Sequence, residues 1–307
     1  MNAPLRAPFP WFGGKRRVAA RVWEALGDPA NYVEPFAGSL AVLLARPSTP
    51  RVETVNDADG FVCNLWRSLR WAPDAVAEHA DWPVNESDLT ARHRWLNAQR
   101  ATLTTRLEGD PEFYDPKVAA WWCWGISCWT GDGWCAGDAG RRLPNLDGNG
   151  GKGIAGAGRG DLRAWFATLS SRLRNVRVAC GDWSRVVAPT VLRNTSGGVR
   201  ATFLDPPYSE GEQQYAVGGT GSTVAADVRV WAMENGDDPT LRIVLCGRGT
   251  EHADLERRGW RVESWSAKGG YGRGDGKEAR HSERLWLSPH CLKGAQRSIF
   301  DVMGAPR

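Results

Sequence analysis

Apolar residues recur at helical spacing over residues 16–26, where Val18, Val22, Trp23 and Leu26 share one side and Gly27 ends the run. The next apolar stretch is short and strand-like, Asn31-Tyr32-Val33-Glu34, and is broken by Pro35. Phe36-Ala37-Gly38-Ser39 follows as a turn, and Leu40 to Leu44 reads as a helix. Residues 51–55 alternate as a strand does and stop at Asn56-Asp57, after which a helix is predicted from Gly60 to Arg70. Strand, glycine turn, helix, strand and acidic turn in this order open a doubly wound α/β fold.

From Pro73 to Gly160 the pattern changes. Two helices are predicted, over residues 86–107 and 115–129, and then a glycine-rich tract from Asp147 to Asp161 is predicted to be a mobile loop. That tract contains GGKG, but Leu146 stands where a phosphate-binding P-loop needs its first glycine, which argues against an NTPase. Alternation then resumes. Residues 161–174 form an amphipathic helix with Leu162, Trp165, Phe166 and Leu169 on one face. Strands are predicted at Val176 to Ala179, Ala201 to Leu204, Arg242 to Cys246, Trp260 to Trp265 and Arg284 to Leu287. One α/β domain, built from residues 1–73 and 161–307, is thus interrupted by an insertion at residues 74–160.

The 307 residues, 42% of them apolar, suffice for a packed core of this kind. The net charge of +4 says little about partners, because phosphate binding depends on where charge sits. Locally the picture is sharper. Between Arg141 and Arg174 seven basic residues (Arg141, Arg142, Lys152, Arg159, Arg163, Arg172, Arg174) face two acidic ones, Asp147 and Asp161, which suits contact with a polyanion. The seven cysteines contain no CxxC pair, so no zinc site is expected and buried thiols in a reducing cytoplasm are. The first residues lack a signal-peptide core, and no apolar run approaches membrane-spanning length, so a cytoplasmic protein is expected.

Three segments carry candidate chemistry. Asp205-Pro206-Pro207-Tyr208 ends an apolar strand, where ligands of open parallel sheets bind. The prolines remove two N–H donors and stiffen the turn. An amino group on an aromatic ring is a poor nucleophile because its lone pair is delocalised. A carboxylate and a backbone carbonyl accepting its hydrogens would localise electron density on nitrogen, and a neighbouring tyrosine could stack on the base. Glu34-Pro35-Phe36-Ala37-Gly38 places a glycine after the first strand, and Asp57 follows Glu34 at roughly the 20-residue spacing of a ribose-binding carboxylate. Trp11-Phe12-Gly13-Gly14-Lys15 sets an aromatic ring, two flexible residues and a cation before the first helix.

In order and spacing these segments resemble the adenine-specific DNA methyltransferases, the family of the bacterial methylase of GATC sites and of many phage enzymes. That family shows W-x-G-G-K, E-P-F-x-G, an N-D turn and, after a target-recognition region, D-P-P-Y. Here they stand as WFGGK (11–15), EPFAG (34–38), NDAD (56–59) and DPPY (205–208). The resemblance implies a Rossmann-like S-adenosylmethionine-dependent methyltransferase fold in which residues 74–160 are an inserted, mainly helical target-recognition domain. It implies that Trp11, Gly13, Gly14 and Lys15 contact S-adenosylmethionine, and that Glu34, Phe36 and Gly38 line its pocket. Asp57 would hold the ribose and Asp182 would face the cofactor's adenine. Asp205, bordering cofactor and base alike, would accept from the target amino group together with the Pro206 carbonyl, with Tyr208 stacked on a flipped adenine.

S-adenosylmethionine is thus the implied methyl donor, with no metal, and the partner is double-stranded DNA bound by a monomer. A cognate restriction endonuclease is a candidate partner. Arg141, Arg142, Lys152 and Lys268 are the candidate DNA contacts. The rings of Trp121, Trp122, Trp124, Trp129 and Trp134 are expected to pack a helical subdomain, with a wedge into the duplex as the alternative. Tyr271, in a segment similar to the family's terminal hairpin, would lie near the target base. One departure stands out: where the family's loop usually carries a second glycine, this chain has Leu40, whose side chain is expected to narrow the approach to the cofactor. Cytosine, RNA or a protein amide remain alternative substrates, and a DNA-binding protein without turnover is the non-enzymatic alternative. Aspartate at the first position of DPPY favours adenine.

Overall fold

The computed structural model describes residues 5–11, 13–130, 133–136, 143–145, 154, 161–193, 197–208, 222–265 and 283–293. Seven strands form one sheet in the order β3-β2-β1-β4-β5-β7-β6. They are β1 (Asn31–Glu34), β2 (Val52–Asp57), β3 (Val176–Cys180), β4 (Arg200–Leu204), β5 (Leu241–Arg248), β6 (Arg261–Trp265) and β7 (Glu283–Leu287). The first five run parallel; β7 is antiparallel to both β5 and β6. This mostly parallel sheet is consistent with a Rossmann-like methyltransferase fold. Strand order reverses between β1 and β4, so the carboxyl ends of those two strands flank the crevice in which doubly wound sheets bind ligands.

Both faces of the sheet are covered, and the strand residues alternate between two cores. Tyr32 packs in one cluster and Val33 in the other; Phe203 and Leu204 divide in the same way. The second cluster holds Leu204, Ile243, Leu245 and Trp286 against Val228 and Ala232 of helix α9 (Ser222–Asn235). The first, larger cluster holds α1 (Ala19–Leu26), α2 (Ala41–Leu44), α3 (Gly60–Trp71) and α7 (Leu162–Leu173). It continues without a break through α4 (Pro73–Ala80), α5 (Glu86–Gly109) and α6 (Pro116–Cys128). A short α8 (Ser184–Val187) follows β3.

The predicted elements are present, with shifts that have local causes. A 3-10 turn over Lys15–Arg17 precedes α1. β2 runs two residues further than its alternation suggests and carries Asn56 and Asp57 to the sheet's edge. α4 was not anticipated, although Pro73 at its first turn and Asp74 are ordinary start signals. α9 was not anticipated either, because its buried stripe, Ala225, Val228 and Ala232, is made of small residues. The loop expected at 147–161 lies, apart from Ile154 and Asp161, outside the described residues.

Trp122, Trp124 and Trp134 are buried, and Trp121 and Trp129 pack against the same core. The Trp134 ring lies over Gly125 of α6, and its Nε1 donates to the Trp122 carbonyl at 3.0 Å. A Cβ on residue 125 would sit 1.9 Å from that ring. Gly125→Ala is therefore expected to expel Trp134 and lower stability by about 2 kcal/mol, read as a shift in the denaturant midpoint. An unshifted midpoint would show that the ring is not held there.

Arg172 does not belong to the basic surface expected between Arg141 and Arg174. Its guanidinium grips both oxygens of the buried Glu53, at 2.6 and 2.9 Å, and donates to the Leu43 carbonyl. Arg46 donates to the same carboxylate at 3.1 Å and to Asp28 at 2.9 Å, so the two cations are matched by two carboxylates within the fold.

Candidate active site

The loops at the carboxyl ends of β1, β2 and β3 are tied together before any ligand is considered. Asn56, 1% exposed, donates from Nδ2 to the carbonyls of Pro35 after β1 (3.1 Å) and Gly181 after β3 (2.9 Å). Its own carbonyl accepts from Ala37 N–H at 2.8 Å. Asp57 accepts the Gly38 N–H on Oδ2 and the Asp59 N–H on Oδ1, both at 2.9 Å. Burial pushes the Asp57 carboxyl up to about 6 against the lowering effect of those two bonds.

Gly38 is needed for a reason of packing. Its φ is +43°, and the Trp11 indole lies where a side chain would be, with Nε1 2.5 Å from an ideal Cβ. Trp66 donates to its carbonyl at 2.9 Å. The tryptophan of the first motif thus fills the space left by the glycine of the second. Glu34 is buried, and its Oε2 accepts from the Tyr32 hydroxyl (2.9 Å) and from Leu43 N–H at the start of α2 (3.2 Å). Burial raises its carboxyl to about 8.

Leu40 stands before α2 with φ 52° and ψ 30°, the left-handed conformation that a glycine adopts without strain. Its side chain is fully buried in the larger core. The expectation that it narrows the cofactor approach does not hold, because a side chain in the core cannot face an open crevice. What departs from the glycine pattern is a strained backbone, offset by a buried leucine.

At the switch point, Asp205 follows β4 and is joined to the first motif. Lys15, 4% exposed, places Nζ 2.9 Å from Asp205 Oδ2 and donates to the Gly13 carbonyl at 2.7 Å. Burial is the largest single effect on Lys15 and lowers its pKa, but Asp205, Cys246 and Glu283 together outweigh it and the ammonium is held above its ordinary value. The Tyr208 hydroxyl donates to Asp205 Oδ1 at 3.2 Å. Its ring lies between two cations, Lys15 Nζ at 5.3 Å and the Arg248 guanidinium at 5.0 Å from the centroid. Pro206 is buried behind them.

After β3, Asp182 is exposed and accepts from Ser184 N–H at 2.9 Å. Beside it Trp183 stacks on Phe36 with ring centroids 6.1 Å apart, joining the ends of β3 and β1. The fold therefore gathers Trp11, Gly13, Gly14, Lys15, Glu34, Phe36, Gly38, Asp57, Asp182, Asp205, Pro206 and Tyr208 at the carboxyl edge of one sheet. Phe12, Arg141, Arg142, Lys152, Lys268 and Tyr271 lie outside the described residues.

Residues 11–101 match the family profile of the D12 class N6 adenine-specific DNA methyltransferases. Over this segment, the first third of the chain, the protein is similar to that class. The matched segment contains the first two motifs and the Asn56-Asp57 turn. Asp205 and Tyr208 lie beyond it, and the Lys15–Asp205 pair connects them to it. No individual curated protein matches the chain. Among the described residues, no cluster of His, Cys, Asp and Glu is arranged to hold a metal ion, and no helix is long and apolar enough to cross a membrane.

Several residues of this site carried no role in the motifs. Asn56 was visible only as part of NDAD. Arg248 and Glu283 have no local signature at all; the β5–β7 register sets them opposite one another at the edge of the crevice.

Proposed function

We propose that the chain transfers a methyl group from S-adenosylmethionine to the N6 amino group of an adenine turned out of double-stranded DNA. One observation carries the reading: Asp205 and Tyr208 are joined through Lys15 to the D12-matched segment, beside the turns that Asn56 and Asp57 hold together. The residues fit such a donor. A half-buried carboxylate stands at the end of β2, and the Phe36–Trp183 pair offers an aromatic face between β1 and β3. Bound there, S-adenosylmethionine would supply an electrophilic methyl carbon, its sulfur keeping the bond pair as the amino nitrogen takes the methyl, and the methylated nitrogen would then lose a proton to solvent.

The protein's own groups position and polarise. Asp205 and the Pro206 carbonyl accept the two amino hydrogens and localise the lone pair on nitrogen, and Tyr208 stacks on the base. Trp11, Gly13, Gly14, Glu34, Phe36 and Gly38 shape the donor site, Asp57 takes the ribose hydroxyls and Asp182 faces the adenine. Residues 74–160 form the target-recognition insertion of a monomeric enzyme, with Arg141, Arg142, Lys152 and Lys268 contacting DNA. Purified protein incubated with unmethylated DNA and S-adenosylmethionine should yield N6-methyladenine on nucleoside mass spectrometry. Methylcytosine, or no modified base from protein that binds the donor, would overturn the reading.

The Asp57 role has a pH signature. Burial pushes its carboxyl up to about 6, and the ionised form is the stronger acceptor for two ribose hydroxyls. Donor affinity should therefore fall as pH drops through about 6. The effect on stability has the opposite sign. The folded state holds this proton more tightly than the unfolded chain, so the Asp57 contribution to stability rises as pH falls from 6 towards the ordinary carboxylate value of about 4. Calorimetric titration of the donor from pH 5 to 8 checks this, using Asp57→Asn as the comparison; a flat wild-type profile counts against the assignment.

A further inference from the structure

Among the described residues, Glu283 is the carboxylate near Asp205 that the proposed reaction leaves unused. It opens β7, paired with Arg248 of β5 on one side and Trp265 of β6 on the other. Its side chain is 5% exposed, and its Oε2 is buried with no hydrogen-bond partner. A buried carboxylate oxygen without a donor is unfavourable unless a partner arrives during function. Lys15, Asp205 and Arg248 all act electrostatically on this carboxyl; burial raises its pKa, Asp205 adds to that, and the two cations oppose it.

Each oxygen of Asp205 already has one partner in this arrangement. Lys15 holds Oδ2 and the Tyr208 hydroxyl holds Oδ1. An amino group that donates to Asp205 must compete with the ammonium, whose charge also weakens the carboxylate as an acceptor. Lys15 is buried, so it does not retreat into water, and a second anion is the partner that best compensates its charge when Asp205 is shared. Its bonds to Asp205 and Gly13 account for two of its three N–H groups, so a third is available for a second acceptor.

We propose that Glu283 is a positioning residue for methyl transfer: it is the second counter-charge of Lys15 and takes the ammonium when the target amino group claims Asp205. This rests on the reading of Asp205 as the amino-group acceptor. Arg248 stands opposite Glu283 in the strand register, and Lys15 from the N-terminal turn and Asp205 from the end of β4 act on it electrostatically.

Glu283→Gln keeps the shape and removes the charge. It should lower kcat by about tenfold or more while leaving the donor Kd and the KM for DNA within about twofold, and Glu283→Asp should restore part of the rate. A role in folding alone would not separate kcat from binding. Independently of turnover, Lys15→Met and Glu283→Gln should shift the denaturant midpoint non-additively in a double-mutant cycle. Additive midpoints, or a wild-type kcat in Glu283→Gln, overturn the inference. A wild-type protein that makes no methyladenine, with non-additive midpoints, would instead sink the assigned reaction and leave the Lys15–Glu283 coupling standing.

Discussion

Asp205→Ala is expected to abolish methyl transfer, with kcat lowered by at least about a thousandfold and the donor Kd little changed. The loss has two sources. The amino nitrogen loses the carboxylate that localises its lone pair, and Lys15, 4% exposed, loses the anion 2.9 Å away. Removing one partner of a buried pair costs about 3–5 kcal/mol, less here because Asp205 is itself 22% exposed. Burial then acts unopposed by this charge, so the Lys15 pKa should drop from its raised value. Asp205→Asn separates the two effects, since it keeps an acceptor oxygen and the packing but not the charge. Rapid-quench kinetics and donor calorimetry on both variants would check this; wild-type turnover in Asp205→Ala would mean that the amino-group contact lies elsewhere.

Gly38→Ala should be the most damaging methyl group that can be added to the site. The new Cβ would lie 2.5 Å from Trp11 Nε1 and 2.9 Å from its Cε2, at a φ of +43° that L side chains rarely adopt. The backbone cannot turn away, because its N–H is held by Asp57 and its carbonyl by Trp66. Overpacking and strain together predict a loss of about 3 kcal/mol and weaker donor binding, since Asp57 would be displaced with the turn. Trp11→Ala in the same chain should recover the packing part but not the strain. If Gly38→Ala alone melted at the wild-type temperature, the contact between the two motifs would be an error of reading.

The departure at Leu40 illustrates how such a site can be misread from one dimension. The sequence shows a side chain where a glycine is usual, and the natural inference is obstruction. In the fold that side chain points into the core beside α2, and the cost is paid in the left-handed backbone instead. Arg172 is a similar case. Counted along the chain it adds to a basic tract, whereas in three dimensions Glu53 and Leu43 consume its guanidinium.

The sequence by itself determined the strands and most of the helices, because burial on a pleated sheet or a helix face imposes periods that residues i to i+4 display locally. It also determined the motif chemistry, because WFGGK, EPFAG, NDAD and DPPY are each contiguous. α9 escaped because its buried face is made of small residues, which give a weak periodic signal. Only the tertiary structure decided which motifs touch: Trp11 on Gly38, Asn56 across three strand ends, Lys15 on Asp205. The same is true of Glu283 and Arg248, which strand register alone brings to the site. The physical reason is range. Local periodicity records which face of an element is buried, but an ion pair between residues 15 and 205 leaves no trace in either neighbourhood until the sheet order sets them side by side.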